Sequence, residues 1–559
     1  MTGVARCAGR APRVESCAQH VLAPGRASRH RIAGRCFGAL VMAVGALVAA
    51  APATAQITGP VQLDAGLISG GPTSSSGIRV FRGIPFAAPP VGDLRWRPPQ
   101  PVTAWDGVRA ADEFGNVCVQ PPGMGRLNIA VLEDSPPLDE DCLYLSVWTG
   151  AESPEERRPV MVYAFGGAFT EGAGSVALYD GTRFAEKGPV VVTLNYRVGP
   201  FGFFVHPDLA AESQHSAAGN YGLMDVLAVL RWVQANIAAF GGDPDNVTLF
   251  GQSAGAMIVA VLAASGEAEG LFHRGIAQSA GWMGVTMTPM RTRDQMAELG
   301  LRAAEELGAA SIAELRALPA EEITSLRSAG VIVDGWIIPE DLSVVFAEGR
   351  QNEVDVMVGS TRDEGSFFGA GPSAEEWQNQ IRSRWGDLAD RVFELYPPDQ
   401  VPDSFVNLFS DEMAWQLRLL GERQADKGRT AYAFHFAHTP PVDPGVPSRG
   451  AAHAADLPYV FNNLGQLPLY PDNASPELAA ASPTDQALAE LMSSYWVNFA
   501  SHGDPNGDGL PEWPAFRSLL DSPAMVLSEN AAPETEIPTE EFALFNALYE
   551  RQMEALAGE

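Results

Sequence analysis

Short apolar runs, separated by polar and glycine-rich segments, recur along the chain and predict the strands of a buried sheet. The clearest runs are Pro159–Ala164, Val190–Leu194, Val247–Phe250, Val354–Gly359 and Thr430–Phe436. Most are apolar throughout instead of alternating with polar residues, as expected of strands that are covered on both faces. The pattern therefore favours a mostly parallel sheet.

A helical period lies between two of these runs. From Tyr221 to Phe240 the apolar positions recur every three or four residues, and Gly241 and Gly242 then mark the end of the helix. Strand, helix and strand in this order indicate an α/β fold, with a mostly parallel central sheet flanked by helices.

Two longer stretches, Arg291–Gly330 and Ala374–Gly428, carry helical patterns and no strand. We interpret them as helical insertions, at about residues 291–350 and 374–428, that form a cap or pocket wall above the sheet. No linker or repeat divides the chain, so residues 56–559 are expected to form one domain.

The first 55 residues have the pattern of a secretory signal peptide. An arginine-rich opening leads into the apolar run Phe37–Ala51, and Ala53-Thr54-Ala55 gives a small-residue cleavage site. A membrane anchor is the alternative, but the run is shorter than the roughly 20 residues of a spanning helix. We expect residues 1–55 to be removed, leaving a secreted or periplasmic protein without a stable membrane anchor.

Acidic residues outnumber basic ones, with 68 Asp and Glu against 37 Lys and Arg, for a net charge of −31. Removal of the leader, which holds seven Arg and one Glu, takes the charge to −37. Such a surface repels phosphate backbones, and no basic cluster offsets it, so nucleic acid is not an expected partner.

The segment Val247–Ala256 carries the strongest candidate chemistry. Strand-forming residues lead into the pentapeptide G-x-S-x-G, Gly251 to Gly255, and an alanine-rich helical run follows. This strand, turn and helix is what an exposed nucleophilic serine requires, so Ser253 is the predicted nucleophile. The N–H of Ala254, at the start of the helix, is free to stabilise an oxyanion.

A serine nucleophile needs a base and an orienting acid, which in the α/β-hydrolase arrangement follow it in the order acid, then histidine. Asp363 and Glu364 both come directly after a predicted strand, and the pattern leaves both open. Four downstream histidines are candidate bases, namely His435, His438, His453 and His502. We choose His453, since it lies on the loop between the last strand and a helical segment.

The segment Phe165–Phe169, after the strand Pro159–Ala164, supplies glycines that let the main chain approach a substrate carbonyl. With Ala254, the N–H groups of Gly167 and Ala168 are predicted to form a three-donor oxyanion hole.

Cysteine and metal patterns add little further chemistry. Cys118 and Cys142 alone follow the leader, and are compatible with one disulfide or with two buried thiols. The segment Asp504–Gly509 imitates a calcium loop, but Ala515 stands where the bidentate Glu is required, so a tight turn is expected. We expect no metal and no cofactor.

Several long segments, in order, make the chain resemble the type-B carboxylesterases, the family of cholinesterases and bacterial p-nitrobenzyl esterases. They include Phe81–Pro101, Glu140–Trp148, Asn195–Phe203, Ala239–Ala256, Ser360–Gly365, His453–Phe461 and Tyr495–Gly507. The resemblance covers nearly the whole mature chain. It implies an α/β-hydrolase fold, Ser253 as nucleophile, Glu364 as acid, His453 as base, Gly167, Ala168 and Ala254 as oxyanion donors, and a Cys118–Cys142 disulfide.

Three positions depart from the family pattern. Gln252 replaces the usual Glu before the serine, Phe165 replaces a His or Tyr before the glycines, and no aromatic residue lies between Cys118 and Cys142. A choline ester is therefore a disfavoured substrate, since a choline cation binds to an aromatic face.

The expected function is hydrolysis of small-molecule carboxylic esters by a secreted serine esterase. A lipase acting at lipid interfaces and a non-catalytic adhesion-type relative are the alternatives.

Overall fold

The apolar runs lie side by side in one central sheet. The structure is a computed structural model that describes residue 57 and residues 59–121, 135–281, 283, 290–369, 371–470 and 474–557. Each of the five predicted runs forms a strand in it. Every residue of the strand Val190–Leu194 is buried, which explains why all but Thr193 are apolar.

The strands of the described residues are, in chain order, β1 (Val61–Gln62), β2 (Leu67–Gly70), β3 (Arg79–Pro85), β4 (Val108–Ala111), β5 (Val117–Cys118), β6 (Leu138–Asp139), β7 (Tyr144–Thr149), β8 (Arg158–Ala164), β9 (Val190–Leu194), β10 (Gly242–Gln252), β11 (Arg274–Gln278), β12 (Arg291–Thr292), β13 (Ile332–Val333), β14 (Asp355–Thr361), β15 (Ala431–Phe436), β16 (Met525–Leu527) and β17 (Ala532–Pro533).

Ten of these strands form the central sheet, in the order β17-β16-β15-β14-β11-β10-β8-β9-β7-β3. From β16 to β9 all neighbours are parallel, while the strands at both edges pair antiparallel. The predicted mostly parallel sheet is therefore present. Its parallel order places the carboxyl ends of β8, β10 and β14 at one edge, where ligands bind in open α/β sheets.

Helices cover the sheet and supply its crossovers. The α-helices of the described residues are Thr182–Glu186, Gly199–Gly202, Pro207–Glu212, Tyr221–Asn236, Ala254–Ala264, Arg293–Glu306, Ile312–Ala317, Ala320–Ile323, Leu342–Ala347, Ala374–Trp385, Ala389–Leu395, Asp403–Asp426, Leu457–Val460, Pro476–Ala481, Pro483–His502 and Thr539–Ala557.

The helix predicted between Tyr221 and Phe240 runs to Asn236 and continues as a 3-10 turn, Ile237–Phe240. Gly241, at φ 78°, then ends it in the left-handed conformation that glycine adopts without strain. By length and composition this segment could span a membrane, but most of it is buried inside the protein. It is a core helix of the fold.

The two predicted insertions are mainly helical, with one correction. The first stretch contains the short strand β12, which pairs with β13 outside the central sheet, so the expectation of no strand there was wrong. Two residues are too few to give a period, and the pairing partner lies 41 positions further along. The second stretch consists of helices alone within its described residues.

The described residues belong to a unit that spans Thr54–Glu559. The predicted signal peptide, residues 1–55, lies outside the described residues.

Candidate active site

Ser253 lies at the sharp turn between β10 and the helix Ala254–Ala264. Its backbone is at φ 56° and ψ −125°, a conformation that non-glycine residues rarely adopt. The serine N–H donates to the carbonyl oxygen of Gln278 over 2.8 Å. This turn presents the Ser253 hydroxyl at the carboxyl edge of the sheet.

The two glycines of the pentapeptide are required by close packing. A Cβ at Gly255 would lie 2.0 Å from the carbonyl oxygen of Ala164, the last residue of β8. A Cβ at Gly251 would lie 2.5 Å from the carbonyl carbon of Gly255. Neither obstacle is a flexible side chain, so the backbone of the turn could not keep its position with larger residues here.

His453 joins Ser253 and Glu364 in one hydrogen-bonded chain. The Nε2 atom of His453 lies 2.9 Å from Ser253 Oγ, and its Nδ1 atom lies 2.5 Å from Glu364 Oε2. The three side chains are separated by up to 200 positions in the sequence. They therefore meet in the arrangement that general-base activation of a serine requires.

Glu364 is fully buried, and its other carboxylate oxygen, Oε1, accepts from the backbone N–H of Thr361 over 2.8 Å. This second bond fixes the rotation of the carboxylate. Of the two acids that the sequence left open, Glu364 is the one that contacts the histidine. Asp363 lies against Arg362 and the loop that precedes His453.

The other three candidate histidines lie elsewhere. His435 is within β15, where burial lowers its pKa to about 4. His438 follows that strand and lies 3.0 Å from the Asp485 carboxylate. His502 is the last residue of the helix Pro483–His502. Within the described part of the chain, none of the three forms a hydrogen bond or an ion pair with Ser253 or Glu364.

The loop after β8 supplies backbone donors near the serine. Gly167 and Ala168 adopt φ 117° and 53°, and a Cβ at Gly167 would lie 2.0 Å from the Glu171 carbonyl oxygen. Gly167, Ala168 and Ala254 all line the same cavity as Ser253. Ala254 is the first residue of its helix, a position at which the helix leaves the N–H unpaired.

Phe165 is held by a contact that the sequence did not reveal. Its ring stacks on Tyr196 with centroids 4.2 Å apart, and the Tyr196 hydroxyl donates to the Phe165 carbonyl oxygen over 2.9 Å. Tyr196 thus holds both the ring and the main chain of Phe165. Tyr196 follows a strand by two residues, and nothing in the local pattern marks this role.

The contact of Gln252 with His453 is a second feature that the sequence did not reveal. Gln252 is buried, and its Nε2 atom lies 3.2 Å from Nε2 of His453. The neutral amide brings a polar group to the imidazole without adding the charge that a Glu would carry.

A mostly apolar cavity of about 490 Å³ opens above these groups. Aromatic residues, methionines and small residues make up most of its wall, and the charged Glu171 and Arg291 also line it. Both insertions contribute, Ala329 to Val331 from the first and Phe409, Met413 and Gln416 from the second. Phe367 packs 5.3 Å from the His453 ring, measured between centroids. An apolar wall of this kind favours burial of the apolar groups of a bound ligand.

Asp456 is a buried acid close to the site. Its Oδ2 atom accepts from Gln278 Nε2 over 2.7 Å, and the Gln278 carbonyl in turn holds the Ser253 N–H. Burial raises the pKa of Asp456 to about 6, although the hydrogen bond from Gln278 acts in the opposite direction.

Two further predicted features are present. Cys118 and Cys142 form a disulfide. In the segment Asp504–Gly509 the Asp504 carboxylate accepts from the N–H of Asn506 over 2.9 Å, which is the hydrogen bond of a local turn. The described residues contain no group of three or more potential metal ligands.

The chain is similar to known ester hydrolases. The model of the carboxylesterase family matches residues 58–545. Fumonisin B1 esterase of Sphingopyxis macrogoltabida is 38% identical over 451 residues, covering 78% of this chain and 82% of that protein. The para-nitrobenzyl esterase of Bacillus subtilis is 34% identical over 496 residues, covering 83% of this chain and 95% of that protein.

Among solved structures, a carboxylesterase of Geobacillus stearothermophilus superimposes with a TM-score of 0.74 at 33% identity, covering 87% of this chain and 99% of that chain. A structure titled PNB esterase gives a TM-score of 0.75 at 31% identity, with the same coverage of 87% and 99%.

Proposed function

Because this chain belongs to the carboxylesterase family, we propose that it acts as a secreted or periplasmic serine esterase whose acyl-enzyme forms on Ser253. Membership makes it a carboxylic ester hydrolase with the α/β-hydrolase fold, acting on small-molecule esters. The observation that carries the proposed mechanism is the chain of contacts from Ser253 Oγ through His453 to Glu364, at 2.9 Å and 2.5 Å.

In the first half of the reaction, Ser253 Oγ attacks the ester carbonyl carbon while His453 Nε2 takes the hydroxyl proton. Negative charge develops on the carbonyl oxygen, and the N–H groups of Gly167, Ala168 and Ala254 donate to it. The bond to the alcohol then breaks as His453 returns the proton to the departing oxygen. The acyl group remains bound to Ser253.

In the second half, water attacks the acyl carbon and gives a proton to the same imidazole. The bond to Ser253 Oγ breaks, the proton returns to that oxygen, and the carboxylic acid leaves. Glu364 holds the imidazole in one tautomer and stabilises its charged form.

The apolar wall of the cavity supports a further part of the proposal, that the preferred esters carry apolar acyl or alcohol groups. Phe368, at 38% exposure, stands at this wall and packs on Phe409 with centroids 4.7 Å apart. Assays with p-nitrophenyl esters of increasing acyl length test this preference. A jump in rate above the solubility limit of the substrate would indicate the lipase alternative instead.

Export is supported by the leader sequence and by the Cys118–Cys142 disulfide, because disulfides persist in oxidising compartments. The mass of the exported protein tests this part of the proposal.

Replacing the nucleophile gives the decisive experiment. We expect Ser253→Ala to lower turnover of a p-nitrophenyl ester by about 10⁴-fold or more, because the hydroxyl that forms the acyl intermediate is gone. Ser265→Ala, at the far end of the same helix, is the matched control and keeps the wild-type rate. Circular dichroism confirms that both variants fold. A folded Ser253→Ala protein with most of its activity would refute the mechanism.

A further inference from the structure

Asp363 makes contacts that pairing with Arg362 does not explain. Its Oδ2 atom accepts from Arg362 Nη2 over 2.8 Å, and the same oxygen accepts from the backbone N–H of Ala451 over 2.7 Å. The N–H of Asp363 donates to the Ala451 carbonyl oxygen over 2.9 Å. Both hydrogen-bonding groups of the Ala451 backbone are therefore satisfied by Asp363.

This pair of bonds lies between the acid and the base. Asp363 directly precedes Glu364, and Ala451 lies two positions before His453. These two bonds, together with the contact of Glu364 with His453, thus close a ring of five residues, namely 363, 364, 451, 452 and 453. Ala451 is fully buried, so loss of the Asp363 oxygen leaves its N–H without the partner that now satisfies it.

The same two loops are joined at a second point, where Ser366 Oγ donates to the Arg449 carbonyl oxygen over 2.9 Å. Between the two contacts stands Gly450, at φ 71°, where a Cβ would lie 2.1 Å from Asp363 Oδ2. Glycine is thus required for the loop to approach the carboxylate this closely.

We propose that Asp363 is a positioning residue for the general base. Its carboxylate and N–H hold the loop 449–452 against the loop of the catalytic acid, so that the distance from His453 to Glu364 is fixed before substrate binds. This inference rests on the proposed function. Asp363 is not among the described residues that line the cavity, so its effect on the reaction passes through His453.

The test separates the loop contact from the ion pair. Asp363→Ala removes the ion pair and the carboxylate's bond to the Ala451 N–H, while the main-chain bond to the Ala451 carbonyl remains. We expect kcat to fall by about 10- to 100-fold, since small misplacements of catalytic groups have effects of this size. KM is expected to change by less than about threefold, because the residues that bind substrate are untouched. Labelling of Ser253 by a fluorophosphonate is expected to slow by a factor similar to that for kcat.

Two variants serve as matched controls. Asp363→Asn keeps an oxygen for the Ala451 N–H but loses the charge, and we expect it to restore kcat to within about threefold of wild type. Arg362→Gln removes the ion pair and leaves the loop contact, with kcat within about twofold of wild type. Equal losses in Arg362→Gln and Asp363→Ala would overturn the proposal, as would a folded Asp363→Ala protein with wild-type kcat.

Should Asp363→Ala fail to fold, Ser366→Ala takes its place, with an expected loss of a few-fold in kcat at constant KM. An unchanged kcat in Ser366→Ala would then count against the proposal. Failure of the proposed function is seen separately, as wild-type protein whose turnover does not depend on Ser253.

Discussion

At the scale of single residues, Asp456 lies near the nucleophile in a place where burial disfavours its charged form. The side chain is fully buried, and its folded-state pKa of about 6 lies above the ordinary value of 3.8. Between these two values the folded protein binds more protons than the unfolded chain. The contribution of Asp456 to the free energy of unfolding therefore falls as pH rises from about 4 to 6.

We expect Asp456→Asn to stabilise the protein at pH 8 by up to about 3 kcal/mol, the equivalent of two pKa units. The asparagine oxygen still accepts from Gln278, and no charge has to be buried. The gain should disappear below about pH 4, where wild type is protonated as well. Urea unfolding midpoints measured from pH 4 to 8 test this, with the exposed Asp106→Asn as control. A stability difference that stays constant with pH would contradict the prediction.

The sequence predicted Ser253 and His453, the family resemblance selected Glu364, and neither revealed the contacts that hold these side chains. Ser253 lies in a motif whose spacing is local, so the pattern reveals it. Gln252 beside His453, and Asp363 against Ala451, depend on segments 201 and 88 positions apart. No local pattern encodes such a contact, because it exists only once the two loops meet at the sheet edge.

At the scale of secondary-structure elements, the turn between β10 and the helix Ala254–Ala264 depends on the absence of side chains. The helix starts directly against the end of β8, with Gly255 facing the Ala164 carbonyl. The position of the nucleophile is thus set by how closely one helix approaches one central strand.

We expect Gly255→Ala to cost about 3 kcal/mol or more in unfolding free energy and most of the esterase activity, since its Cβ would meet main-chain atoms of a central strand. Gly266→Ala is the matched control, because a Cβ there meets nothing within 4 Å. Urea unfolding and p-nitrophenyl ester hydrolysis measure both effects. Equal stability and activity of the two variants would contradict this explanation by packing.

Elements differed in how well their sequences predicted them. Runs that are buried on both faces, such as β9, were identified because nearly all of their residues are apolar. The strand β11, Arg274–Gln278, lies at the centre of the sheet but carries Arg and Gln at its ends, and it was not predicted. Its neighbours on both sides, β10 and β14, make it a strand by pairing with it.

At the scale of the whole molecule, the leader and the cysteines give one joint prediction. Removal of residues 1–55 also removes Cys7, Cys17 and Cys36, leaving the disulfide partners as the remaining cysteines. We expect the exported protein to have the mass of residues 56–559 and to take up thiol label only after reduction, at two sites.

Intact-mass spectrometry before and after reduction and alkylation measures both features. A retained leader would show as a heavier protein with up to five labelled cysteines. Label taken up at Cys118 or Cys142 without reduction would contradict the disulfide. By the chain-entropy argument, a bond closing a separation of 24 residues stabilises the fold by about 3 kcal/mol.

The sequence by itself determined the α/β class, the family and the ester-hydrolase activity, and it predicted the nucleophile, the acid and the base. It could do so because buried strands, a tight serine turn and catalytic residue types produce recognisable patterns within short stretches of chain. Tertiary structure decided what surrounds them. It set the contacts of Tyr196 with Phe165, of Gln252 with His453 and of Asp363 with Ala451, and it set the shape of the cavity. Those features join side chains from distant segments, and only the folded sheet brings them within hydrogen-bonding range.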